Sequence, residues 1–172
     1  MTGWRKELRE WVISIVVVLL IVIPLNIFAL DNRRVPTGSM VPTIHPGDRL
    51  FVDTLTYRFR ELERGDIVVF APPDQLDIED DLIKRLIGLP GDTIEIKDGQ
   101  LYVNDIPQEE PYIEETIEYT MAKIRVPEGK IFVLGDNRNF SYDSHVWGFV
   151  DISNVKGKAL WRYWPLSRLK VW

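Results

Sequence analysis

The segment Leu82-Ile83-Lys84-Arg85-Leu86-Ile87-Gly88-Leu89-Pro90-Gly91-Asp92 sets a lysine in the middle of an aliphatic strand. Alternation puts Lys84 on one face with Leu82 and Leu86. Most strand lysines snorkel to solvent or protect a sheet edge. An ammonium lodged among leucines instead loses hydration, which lowers its pKa from about 10.4 toward neutrality and makes the amine a usable general base. A drop of about three pH units costs about 4 kcal/mol, tolerated mainly where the neutral amine has work to do. The segment Val35-Pro36-Thr37-Gly38-Ser39-Met40-Val41-Pro42-Thr43 offers such a base a hydroxyl in a loop held between prolines. Taken alone, Thr-Gly-Ser is a turn, and nothing forces Ser39 to be a nucleophile. A third segment, Gly135-Asp136-Asn137-Arg138-Asn139-Phe140-Ser141-Tyr142-Asp143-Ser144-His145, is dense in hydrogen-bonding side chains. It reads either as a polar loop or as a device that holds a lysine amine in line with a nucleophile.

Three kinds of element must position these residues. Residues 1–10 form a short charged start. From Trp11 to Leu30, 20 residues carry no charge, enough for a transmembrane helix of roughly 30 Å. A cleavable secretory leader is the alternative, but Ile27, Phe28 and Ala29 do not supply its small-x-small end. Pro24 and Asn26 are expected to kink or end the helix. Arg5, Lys6 and Arg9 before it outweigh Arg33 and Arg34 after it, which orients the N-terminus to the cytoplasm and residues 31–172 outside it. In those residues apolar side chains alternate or run briefly at 49–53, 67–70, 83–89, 130–134 and 158–163, predicting strands. Asp98-Gly99 between Ile94, Ile96 and Leu101, Val103 predicts a type I′ hairpin over 93–104. The expected body is mainly β, a single antiparallel domain.

With no cysteine in 172 residues, thiol proteases and thiolate metal sites are excluded. The net charge of −5 is concentrated in two acidic runs, Asp74, Asp77, Glu79, Asp80, Asp81 and Glu109, Glu110, Glu114, Glu115, Glu118, both read as solvated loops. The clustered Lys and Arg only flank the apolar segment, so nucleic acid is excluded as a partner.

The three segments in this order behind a membrane helix resemble the bacterial type I signal peptidases, through nearly all of the chain after Leu30. The resemblance rests on Ser-Met-x-Pro-Thr at Ser39 and Lys-Arg-x-x-Gly-Leu-Pro-Gly-Asp at Lys84. It implies an antiparallel β-fold shared with repressor-type proteases, and a membrane-bound serine endopeptidase that removes signal peptides from exported preproteins. Ser39 would be the nucleophile and Lys84 the base, a Ser-Lys variant of triad logic. Thr37 and the Ser39 N–H would hold the oxyanion, and Ser141 would orient the lysine. Asp136 would pair with Arg85, and Asp143 with His145, where many relatives have arginine, making that pair sensitive to pH. Val35, Met40, Ile44, Leu82 and Ile83 would form shallow pockets for small residues before the cut. No metal or cofactor is implied; the partners are preproteins and the lipid bilayer. The location implied is the plasma membrane, with a thylakoid or other internal membrane as the alternative.

Three other readings compete. A Ser/His/Asp hydrolase would need His45 or His145. Repressor-type proteases share the chemistry but carry a DNA-binding module where this chain has an apolar helix. A catalytically silent, membrane-anchored binding module would hold preprotein tails without cutting them. Trp161, Trp164 and Trp172 are expected either at the membrane interface or, for Trp161 above all, in the core.

Overall fold

The computed structural model describes residues 3–55 and 60–172, without the side chains of residues 5, 21 and 23–29. The first two residues of the charged start thus lie outside the described residues. Helix α1 (Gly3–Ala29) begins before the apolar run, since Lys6, Glu7, Leu8 and Arg9 are good helix formers. It continues past Pro24 and Asn26, where the sequence predicted a kink or an end. Proline removes one backbone donor and leaves the bonds of neighbouring turns in place. Large apolar side chains of α1, such as Trp11, Val18 and Leu20, stand exposed. Among the described residues no helix is long and apolar enough to cross a membrane. The described side chains of the apolar run stop at Leu20 apart from Val22 and Leu30.

The strands are β1 (Leu30–Arg34), β2 (Arg49–Asp53), β3 (Ile67–Phe70), β4 (Leu82–Gly88), β5 (Thr93–Lys97), β6 (Gln100–Val103), β7 (Ile106–Pro107), β8 (Met121–Arg125), β9 (Lys130–Leu134), β10 (Val150–Asp151), β11 (Val155–Trp164) and β12 (Lys170–Val171). A short helix α2 (Ser144–Trp147) precedes β10. The larger sheet runs β1-β2-β11-β3-β4-β9-β10, with β12 on β11; the smaller runs β7-β6-β5-β8. The pairings are antiparallel.

Continuous apolar strands are buried on both faces, and period two divides their side chains between cores. On β3, Ile67 and Val69 join a core with Val35, Met40, Ile44 and Leu50, whereas Val68 and Phe70 join another with Leu86 and Val133. On β9, Phe132 and Leu134 reach a third core, where Ile94, Ile96 and Leu101 pack the small sheet onto the large one. Each such fully buried side chain contributes about 1.5–3 kcal/mol. In the predicted hairpin, Asp98 (φ 52°) and Gly99 (φ 74°) both take the positive φ that a type I′ turn needs. Strand β1 escaped the sequence pattern because Asp31, Asn32, Arg33 and Arg34 are polar; pairing with β2 makes it a strand. Trp161 is exposed, packing edge-on against Phe51, while Trp172 packs onto the core around Leu50, so the expectation for Trp161 is reversed.

Candidate active site

The serine loop is closed at its base by two backbone bonds, Val35 N–H to the Asp48 carbonyl at 2.9 Å and Gly47 N–H to the Val35 carbonyl at 2.8 Å. Met40 and Ile44 are plugged into the core below it. This leaves Ser39 half-buried, with its hydroxyl 2.5 Å from Lys84 Nζ and 3.5 Å from Thr37 Oγ1. Lys84 comes from β4, which has β3 on one side and β9 on the other. It lies opposite Val68 in the register and is 4% exposed. Burial lowers its pKa from 10.5 to about 8, with the charges of Asp143 and Asp136 opposing the drop. An amine at that value is about half neutral near pH 8, and its neutral form can accept a serine proton.

The polar third segment reaches the serine through its backbone. Asn137 N–H donates to the Ser39 carbonyl at 3.1 Å, and the Asn137 carboxamide donates to the Gly38 carbonyl at 3.2 Å. Gly135 is required by close approach: a methyl there would come within 2.6 Å of Ser141 Cβ and overlap the Ser39 carbonyl oxygen. Ser141 is buried beside it, and its hydroxyl has no hydrogen-bond partner among the described residues. No hydrogen bond joins Ser141 to Lys84, so the structure brings Ser141 to the site without the direct link that orienting the amine implies.

Two carboxylates fix this segment. Asp136 takes two bonds from Arg85, at 2.7 and 2.6 Å, in a buried pair. Asp143 accepts from Gly135 N–H at 2.8 Å and caps α2 by accepting from His145 N–H at 3.1 Å. The His145 ring meets the same carboxylate through Nδ1 at 2.8 Å. A carboxylate only accepts, so Nδ1 carries the proton. The ring also stacks on Tyr119 with centroids 4.2 Å apart. Neither histidine hydrogen-bonds to Ser39; His45 instead donates its N–H to Asp48 at 3.0 Å. The acidic runs are not wholly solvated. Glu110 is buried in a bidentate pair with Arg138, both bonds 2.6 Å, and Asp81 is held by Arg33 and Lys156. A carboxylate gains these partners where the fold folds a charged loop back on itself, which composition does not reveal.

A cleft of about 520 Å³ opens over the Ser39–Lys84 pair. Val35, Met40, Leu82 and Ile83 line it. Ile44 does not: it is fully buried in the core beneath, because a turn bonding its N–H to the Met40 carbonyl points it inward. Asn137, Phe140 and Tyr142 line the cleft and were not singled out from sequence. Phe140 is 74% exposed and Tyr142 53%. Their signal was alternation, since Phe140-Ser141-Tyr142 sends two aromatics one way and a hydroxyl the other.

The model of "Signal peptidase, peptidase S26" matches residues 8–164. A probable signal peptidase I-1 of Synechocystis sp. is 43% identical over 166 residues, 94% of this chain and 85% of that protein. A chloroplastic thylakoidal processing peptidase 1 of Arabidopsis thaliana is 45% identical over 147 residues, 81% of this chain and 43% of that protein. The crystal structure of a signal peptidase I from Enterococcus faecalis superposes with a TM-score of 0.52 at 35% identity, covering 58% of this chain and 97% of that one. With a lysine amine on a serine hydroxyl, and with the family's model matched from α1 through β11, the chain belongs to the signal peptidase family, peptidase S26, and is a serine peptidase.

Proposed function

We propose that this chain removes N-terminal signal peptides from exported preproteins, cutting after small-x-small sites through an acyl-enzyme on Ser39. The observation that carries the reading is the 2.5 Å contact between Ser39 Oγ and an amine whose pKa burial has lowered to about 8. Neutral Lys84 takes the serine proton as Oγ adds to the scissile carbonyl. The Ser39 N–H and the Thr37 hydroxyl hold the oxyanion that forms, an interaction whose loss commonly costs about 2.7–4 kcal/mol per donor. Collapse of the tetrahedral adduct breaks the C–N bond, and the Lys84 ammonium protonates the departing amine of the mature chain. Water, deprotonated by the same lysine, then hydrolyses the ester and restores Ser39.

Val35, Met40, Leu82 and Ile83 give the cleft apolar walls suited to small side chains before the cut. Helix α1 serves as the membrane anchor, with its N-terminus in the cytoplasm and the β-body outside. Its exposed Val, Leu and Ile side chains and the uncharged run from Trp11 to Leu30 support that role. The anchor confines the enzyme to the surface where a preprotein's own apolar segment is held, which raises effective concentration. A plasma membrane or a thylakoid fits equally.

The test is cleavage of an Ala-x-Ala preprotein by detergent-solubilised wild type, Ser39→Ala, Lys84→Ala, His45→Ala and His145→Ala. Folded but inactive serine and lysine variants beside active histidine variants bear the reading out. A lysine variant that still cuts, with a dead histidine variant, sinks the dyad. A wild type that binds the preprotein and leaves it intact makes the chain a silent binding module.

A further inference from the structure

A trans peptide unit points its C=O and its N–H in opposite directions. Gly38 C=O and Ser39 N–H belong to one such unit, and the Asn137 carboxamide donates to that carbonyl at 3.2 Å. Holding the Gly38 oxygen therefore aims the Ser39 N–H. The Val41 N–H shares the Gly38 carbonyl, at 3.1 Å, and the Asn137 backbone N–H holds the next carbonyl, that of Ser39, at 3.1 Å, so Asn137 is the residue outside the serine loop that bonds the peptide planes on both sides of the nucleophile.

Asn137 is in turn held from both sides along the chain. Before it, Asp136 takes the two-point bond from Arg85, whose remaining donors reach the Gly65 carbonyl at 2.8 Å and Thr43. After it, Arg138 is wholly buried, donates to the Gly135 carbonyl at 3.0 Å, and is gripped by Glu110. The Tyr112 ring faces both guanidiniums, with its centroid 3.9 Å from Arg85 and 5.9 Å from Arg138, and its hydroxyl donates to Glu110 at 2.8 Å. Two desolvated cations beside one aromatic ring, each with its own carboxylate, make a brace with few alternative arrangements.

We propose that Asn137 is the positioning residue that aims the oxyanion donor of Ser39, and that Glu110 and Tyr112 hold Asn137 in place through Arg138 and Arg85. The proposal rests on the peptidase reading above and adds residues to it that act on the oxyanion through the backbone of Ser39. Misaiming a donor affects the transition state, where the charge is on oxygen, more than the bound substrate.

The experiment is steady-state cleavage of the Ala-x-Ala preprotein by the full chain in detergent, with folded protein quantified by thermal unfolding. Asn137→Ala is expected to lower kcat by about 10- to 100-fold with KM within about twofold. The pH midpoint of the rate profile stays where wild type has it, because the Ser39–Lys84 contact is untouched. Glu110→Gln, which keeps shape and removes charge, is expected to give a smaller loss of about 3- to 10-fold in kcat, again without a change in KM. Asn137→Ala with kcat within twofold of wild type overturns the proposal. So does a loss of rate matched by a loss of folded protein in both variants, or a displaced pH midpoint. A wild type that does not cut overturns the peptidase reading and this proposal together, so the two failures are told apart.

Discussion

Replacing Lys84 by methionine removes the amine and keeps an unbranched side chain, which separates what the lysine does for the reaction from what it costs the fold. The folded chain holds the amine at about 8, against 10.5 for a free lysine, with burial as the first cause. Between those values the unfolded chain binds a proton that the folded chain does not, so stability rises with pH through that window. Below it both states are charged and the whole cost is present. The gap from about 8 to 10.5, at about 1.4 kcal/mol per pH unit, comes to about 3 kcal/mol. Lys84→Met is therefore expected to abolish cleavage while stabilising the protein by about 3 kcal/mol near pH 6, a gain that shrinks to about 1 kcal/mol near pH 9.5. For a chain of 172 residues, about 2–4 °C per kcal/mol gives a Tm rise of about 6–12 °C at the lower pH. Thermal unfolding of both proteins in the same detergent at the two pH values is the assay. A Tm that falls near pH 6, or a gain equal at both pH values, would refute the desolvated-base argument.

Three further outcomes are expected. The rate at low substrate should fall about tenfold per pH unit below about 8, as the amine protonates, and a profile flat down to about pH 5 excludes Lys84 as the base. Gly135→Ala should cost about 1–3 kcal/mol and most of the activity, since the new methyl presses on Ser141 and on the Ser39 carbonyl; full activity with unchanged Tm would contradict that close approach. Ile44→Val should lower stability by about 0.5–1.5 kcal/mol and leave the choice of residue at the cut unchanged. Altered cleavage preference on a panel of preproteins would return Ile44 to the cleft wall.

Much of the large sheet was legible in the sequence, because strands such as β3 and β9 are apolar over nearly their whole length and are bounded by turn residues. Lys84 was conspicuous for the same reason, as the charge that broke an aliphatic strand. Arg85 beside it was the less obvious residue, since its meaning depends on Asp136, 51 positions away. Polar strands such as β1 were invisible, as their pattern comes from pairing with β2 and not from alternation. Glu110 was the plainest misreading. One glutamate in an acidic run looks like its neighbours, and only the return of the loop onto Arg138 sets it apart. Ile44 failed differently: a residue five places after the serine is near it in sequence, but the turn between them faces it into the core. The aromatic pair Phe140 and Tyr142 carried a usable signal, alternation around Ser141, masked by the polar residues before it.

The two members of the Ser39–Lys84 pair differ in how freely their backbones can yield. Strand β4 is laced to β3 and β9, so the lysine's amide hydrogen exchanges only when the sheet itself comes apart. The serine sits on a loop tied down by a handful of bonds to Asn137 and to its own base. The amine is thus the fixed reference point of the site and the hydroxyl the adjustable one. Sequence drift around Ser39 retunes reach and leaves the base where it was, whereas drift around Lys84 unsettles the whole sheet. A covalent inhibitor built to meet the amine's position has a target that escape substitutions in the serine loop do not move.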